Sequence, residues 1–383
     1  MALKTALYDL HAASSATFIE FCGYMLPVSY KGLNIPASVL HTRAAASLFD
    51  VSHMGQLRIH GKDREAFIER ISVANMKAVK NDSGTLSVML REDNAGILDD
   101  TIITKRADVI EMVVNAGCKV QDIAHIKEQV SKFKGDVQLE VREGQSLVAL
   151  QGPFAHRYLK PILESATGAP ALEKVSFLQS FITTIPRLDK NARITVSRLG
   201  YTGEDGFEIS VPDKFVNQFC QMLLDAKLQD TSAKVEWAGL GARDVLRLEA
   251  GLCLMGHDMN PEINPWEANL GWLIGKRRRQ EKGFLGDAVL FGEQAQPKQI
   301  RVGLVVDGMP AREGAVILGE GNGKITSGCP SPCAKLNIAM GYVDTKQAVA
   351  GTKLKVQVRN KELDAVVTEM PFVPTRYYRA PKE

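Results

Sequence analysis

At 383 residues the chain is long enough for roughly two to three ordinary domains, and its 45% apolar content lets it bury substantial cores. Lysine plus arginine number 47 against 44 aspartates plus glutamates, so no polyelectrolyte partner such as nucleic acid is implied. Such a mild basic bias helps at most to attract an acidic protein or an anionic ligand. No apolar run approaches the roughly 18 to 20 residues needed to cross a bilayer, so no helical span is expected. The opening MALKTALYDLHAASSATFIEF has no secretory core. Asp9 and Glu20 also interrupt the acid-poor pattern of an organelle transit segment. Either a cytosolic location or a targeting segment outside this sequence fits. The six cysteines are scattered and read as reduced thiols. Cys329 and Cys333 share a CPSPC stretch, but no second Cys/His pair stands nearby to complete a zinc site.

In chain order, the Gly61-Lys62-Asp63 turn leads into a predicted helix with Phe67, Ile68 and Ile71 on one side. Residues 87–90, 100–104 and 109–114 read as strands, separated by the turns Asn94-Ala95-Gly96 and Arg106-Ala107-Asp108. Strand-like residues 194–198 and 207–211 flank the glycine-rich GYTGEDG. Phe215, Phe219, Met222 and Leu223 then mark a helix. After about residue 295, short β-type runs at 302–306, 315–318, 338–343 and 354–358 alternate with Gly/Pro/Asn turns, which predicts a small antiparallel barrel or sandwich. The class is therefore α+β, with an all-β domain at the C-terminus.

Few segments could carry chemistry. Asp99 and Asp100 follow a glycine turn and open an apolar strand. Strand alternation sends them to opposite faces, so one can cap the turn while the other projects into a cavity; two solvated turn residues are the plainer alternative. Asn115, ending the next strand, could present its amide to the same cavity. GYTGEDG lies between two strands, which excludes a dinucleotide fingerprint. It is either a long hairpin tip or a loop offering Tyr201, Glu204 or Asp205, with Glu208 beyond. Arg243 and Arg247 share a face of a helix opened by GLGARD. Arg243 could hold an anionic ligand tail, or pair with Asp244 or Glu249. His53 has no partnered nucleophile and reads as a packed residue. Lys276, Arg277, Arg278 and Arg279 form a basic run, either a solvated face or a docking patch for an acidic partner.

Taken together, LYDLH from Leu7, FDVSHMGQ from Phe49, GILDD from Gly96, VVNAGC from Val113, GYTGEDGFEIS from Gly200 and GLGARDVLRLEAGLCLMG from Gly239 resemble the aminomethyltransferase (T-protein) family of the glycine cleavage system. The order matches over nearly the whole chain. GKRRR from Gly275, TSGCPSPC from Thr326 and MPFVPTRYY from Met370 are similar to its mitochondrial branch. Tyr24 stands where relatives carry tryptophan, Ser87 where they can carry an aromatic, and Arg376 where asparagine is common.

The resemblance implies a three-domain clover leaf around a central folate pocket. The expected domains are residues 1–50 with 142–245, residues 51–141 with 246–290, and a C-terminal antiparallel barrel over 291–383. It implies a mitochondrial matrix enzyme whose partner is lipoylated H-protein. The methylene carbon of the aminomethyl group on the lipoyl arm passes to tetrahydrofolate, giving 5,10-methylenetetrahydrofolate, ammonia and the dihydrolipoyl arm. No metal, flavin or nicotinamide is expected. The family's catalytic carboxylate falls on Asp100. Its folate and substrate contacts fall on Asn115, Tyr201, Glu208, Arg243 and Tyr377, and the basic run is the expected H-protein contact. A folate-binding module of the dimethylglycine or sarcosine dehydrogenase kind, or a non-catalytic folate-binding relative, is the alternative.

Overall fold

The structure, a computed structural model, describes residues 2–293 and 296–381. The chain divides into two compact units, each assembled from separated stretches: residues 1–54, 142–247 and 374–383 form the first, and 55–141 with 248–373 the second.

The first unit is built on a six-stranded sheet in the order Ser180–Thr184, Arg193–Ser197, Gly206–Pro212, Gln145–Gln151, Ala46–Asp50, Val235–Trp237. Only its last pair runs parallel. Helices Ala155–Leu163 and Asp213–Leu224 bury their apolar sides in the same core as Phe207, Ile209 and Val148. In the second helix the buried row is Val216, Phe219, Cys220 and Leu223. Phe215 and Met222, which help mark this helix in the sequence, lie at the edge of the core. Residues 374–380 return to this unit as a tail. The Tyr378 carbonyl accepts from the Phe177 backbone N–H at 2.8 Å, and the Arg376 N–H donates to Gly203 O at 2.7 Å.

The second unit contains a five-stranded antiparallel sheet in the order Ser83–Leu90, Ile97–Lys105, Ile110–Val114, Gly55–His60, Gln138–Val141. Helix Arg64–Ile71 covers it with Phe67, Ile68 and Ile71, all fully buried. Helix Lys119–Lys132 adds Ile126 to the same core. The closed barrel links Gln299–Val306, Leu336–Asp344, Gly323–Ser331, Val316–Leu318, Lys353–Val358 and Lys361–Thr368, with every neighbouring pair antiparallel. Its interior is filled by Leu304, Val356, Ala339 and other small or branched side chains, as a narrow barrel requires. The loop region 250–263 is pinned to the barrel by the Tyr342 hydroxyl, which donates to Asp258 O at 2.6 Å. Within CPSPC, the Ser331 hydroxyl and the Cys333 N–H donate to the buried Glu249 carboxylate at 2.6 and 3.3 Å. That stretch therefore locks local structure.

Candidate functional site

In the second unit the strand Ile97–Lys105 alternates as its sequence predicts: Asp99 is fully buried and Asp100 is half-buried. Gly96 precedes them because the Pro261 carbonyl packs where a side chain would stand; a Cβ there would lie 1.7 Å from that oxygen. Asn115 follows the adjacent strand and fastens the two acids. Its backbone N–H donates to Asp99 Oδ2 at 2.8 Å, and its Nδ2 to Asp99 Oδ1 at 2.8 Å and to Asp100 Oδ1 at 2.7 Å. An amide nitrogen has two hydrogens, so both are committed to carboxylates and only Oδ1 is left for another molecule.

Beneath Asp99 lies a residue that the sequence reading missed. Asp122, in the first turn of helix Lys119–Lys132, is buried and hydrogen-bonded to Asp99. Burial, followed by the proximity of Asp99 and Asp100, pushes its carboxyl far above the usual range. Cys118 also bonds Asp99, and burial among these acids pushes its thiol up. The signal was present: Asp122 falls one helical turn before Ile126, on the apolar face of the helix.

In the first unit, strands Arg193–Ser197 and Gly206–Pro212 pair directly, so GYTGEDG is the tip of a hairpin. Its glycines have structural reasons. Gly203 has φ +78°, and a Cβ on Gly200 or Gly206 would strike Gln151 or the Leu150 carbonyl. Glu204 and Asp205, weighed above as loop ligands, are structural acids. Glu204 is buried against Arg43 at 2.9 Å and Arg376 at 2.6 Å; Asp205 is clamped by Arg198 at 2.9 and 2.5 Å.

Tyr201, Glu208 and Arg243 do come together. The Arg243 guanidinium lies over the Tyr201 ring, 4.7 Å from its centroid. Burial pushes the Glu208 carboxyl up, and the charge of Arg243 partly offsets this. The Glu208 carboxylate is buried and accepts no hydrogen bond from the described residues. A buried acceptor beside a cation and an aromatic face suits a ligand rich in N–H donors. Arg247, by contrast, forms the intrahelical pair with Asp244 at 2.7 Å. Tyr377 stacks on Phe177 with centroids 4.2 Å apart, and burial raises its phenol, which also faces Arg43 and Glu204. His53 is a packed ring between Phe21 and Tyr24, at 5.8 and 6.2 Å.

The basic run forms helix Lys276–Glu281 in the second unit. Arg277 bonds Asn75, Glu69 and Glu281. Arg278 is buried on the Glu69 and Lys282 carbonyls, and Arg279 caps Ile274 O and Gly271 O at 2.7 and 2.6 Å. These three arginines hold local structure. Lys276 is exposed.

The GCVT N-terminal domain matches residues 7–278, and the glycine cleavage T-protein C-terminal barrel domain matches residues 300–374. The chain is 45% identical over 390 residues to the mitochondrial aminomethyltransferase of Dictyostelium discoideum, covering 98% of this chain and 93% of that protein. It is 46% identical over 387 residues to that of Mesembryanthemum crystallinum, covering 99% and 91%. Its fold is similar to the crystal structure of glycine cleavage system aminomethyltransferase T from Bartonella henselae, with a TM-score of 0.88, 36% identity, and coverage of 99% of this chain and 100% of that one. With matches over nearly its whole length, the chain belongs to the aminomethyltransferase family of the glycine cleavage system.

Proposed function

We propose that this chain acts in the mitochondrion with the other glycine cleavage proteins, taking the aminomethyl group from the lipoyl arm of H-protein. Its methylene carbon becomes the bridge between N5 and N10 of tetrahydrofolate. Ammonia leaves, and the lipoyl sulfur returns as a thiol. The folate nitrogens are the nucleophiles, so the protein needs neither a covalent nucleophile nor a metal, flavin or nicotinamide. Its task is to orient the nitrogens and balance charge as ammonia departs.

Asp100 is the catalytic carboxylate in this reading. It orients the folate amines and stabilises cationic character at the transferring carbon. The observation that carries the assignment is its fixed position: the Asn115 amide holds Asp100 Oδ1 at 2.7 Å. Asn115 offers Oδ1 to the pterin. Glu208 accepts from the aminopyrimidine edge, which its unmet acceptors favour. Tyr201 lies against the ring, Arg243 meets the anionic glutamyl tail, and Tyr377 borders the substrate. The H-protein contact narrows to the exposed Lys276 and Arg279, since Arg277 and Arg278 are committed to Glu69. A third domain beginning near residue 291 is supported by the separate hydrophobic core of the barrel.

The deciding experiment measures ammonia release from aminomethylated H-protein. Release that requires both tetrahydrofolate and the lipoylated carrier supports the transferase reading. Tight folate binding without such release would instead mark a folate-binding relative.

A further inference from the structure

We propose that Asp122 is a positioning residue for Asp100, acting as a neutral carboxylic acid through Asp99 and Asn115. The inference rests on the reading of Asp100 as the catalytic carboxylate. Two buried carboxyl groups within hydrogen-bond reach cannot both be ionised; one proton must lie between them. Asp122 and Asp99 are such a pair, 2% and 0% exposed. The geometry says which of them keeps the proton. Asp99 accepts the backbone N–H and Nδ2–H of Asn115, so it is stabilised as the anion. Asp122 Oδ2 is buried with no hydrogen-bond partner among the described residues, a position that disfavours negative charge. Asp122 therefore donates to Asp99: burial raises both carboxyls, and the donors Asn115 and Cys118 select Asp99 as the anion.

The consequence reaches the site in three links. The Asp122 proton fixes the Asp99 carboxylate. Asp99 holds Asn115 by two hydrogen bonds, and the second Nδ2 hydrogen of Asn115 fixes Asp100 Oδ1. An ionised Asp122 would repel Asp99 and place a further negative charge beside Asp100. The proton on Asp122 thus keeps the ionised carboxylate at the point of reaction and holds its orientation.

The test uses the full-length enzyme with aminomethylated H-protein, reading kcat and the KM for tetrahydrofolate in Asp122→Asn, Asp122→Leu and Asp100→Asn. An asparagine N–H replaces the acid proton, so Asp122→Asn should keep kcat within about twofold of wild type. Asp122→Leu should lose roughly tenfold to a hundredfold in kcat with KM little changed, since a displaced catalytic group costs rate while binding elsewhere persists. Wild-type kcat in Asp122→Leu, or equal losses in the leucine and asparagine variants, overturns the proposal. Asp100→Asn separates the two readings. If it retains wild-type kcat, the catalytic reading of Asp100 fails; if it is inactive while Asp122→Leu is normal, only the positioning role fails. Infrared difference spectra at neutral pH provide a measurement independent of how the leucine variant folds. A protonated-carboxyl C=O band present in wild type and missing from Asp122→Asn is expected, and no such band contradicts the proposal.

Discussion

Two clusters of acids, one at the hairpin tip of the first unit and one around Asp99 in the second, are buried by opposite means. Around the hairpin tip of the first unit the buried or half-buried acids have cations: Glu204 has Arg43 and Arg376, Asp205 has Arg198, and Glu208 has Arg243 alongside. In the second unit the partners of Asp99 are the Asn115 amide, a thiol and another carboxyl group. Ion pairs fix charge permanently, because an arginine stays protonated at any working pH. A shared proton and a neutral amide leave a carboxylate available to answer charge that develops during a reaction. The ion-paired region suits holding an anionic or donor-rich ligand, and the proton-sharing region suits transfer chemistry.

The comparison breaks first where a cation is removed. Arg198→Met strands Asp205 and two backbone carbonyls, Leu172 O and Val175 O, and should destabilise the protein by about 3 to 5 kcal/mol in urea unfolding. A loss below about 1 kcal/mol would mean that the acids of this unit do not depend on their cations. Arg243→Ala should weaken folate binding by about 1.5 to 3 kcal/mol, the scale of a charged hydrogen bond, and more for polyglutamylated forms. Equal calorimetric affinities for short and long tails would remove Arg243 from the tail site.

The second unit is sharpened by pH. Folded Asp122 keeps a proton that the unfolded chain releases above about pH 4. Its contribution is fully present below that value and is lost as pH rises, because the folded state then binds more protons than the unfolded one. Asp122→Asn has no such proton. Its stability relative to wild type should therefore climb by up to about 1.4 kcal/mol per pH unit from about pH 4 upward. Parallel stability curves would show an ionised Asp122. The smallest effect is at the surface. Lys276→Glu should slow H-protein association by only a few-fold at low salt, a difference that disappears above the ionic strength at which exposed charges are screened. No change at low salt would make Lys276 ordinary surface.

How much of this was legible in the sequence depended on the range of the interaction. The alternation of Lys353–Val358, exposed and buried by turns, follows from one face of a barrel strand meeting water. The same period separated Asp99 from Asp100 correctly. Interactions between distant stretches left no such trace. Glu204 looked like a loop ligand because Arg43, 161 positions away, could not be placed beside it. Arg278 read as part of a solvated run, although it folds inward onto Glu69. Asp122 went unread, although its place one turn before Ile126 set it on the apolar face of its helix. Gly200 and Gly206 owe their identity to Gln151 and Leu150, contacts that no local pattern encodes.

The central claim is that Asp100 supplies catalysis while other residues hold the folate. Asp100→Asn tests it most directly when folate affinity and methylene transfer are measured on the same preparation. The expected result is near-native affinity for tetrahydrofolate with transfer from aminomethylated H-protein reduced by about 100-fold or more, as for loss of a positioned acid–base group. Transfer within a few-fold of wild type would contradict the account, because the carboxylate that Asn115 holds would then have no part in the reaction.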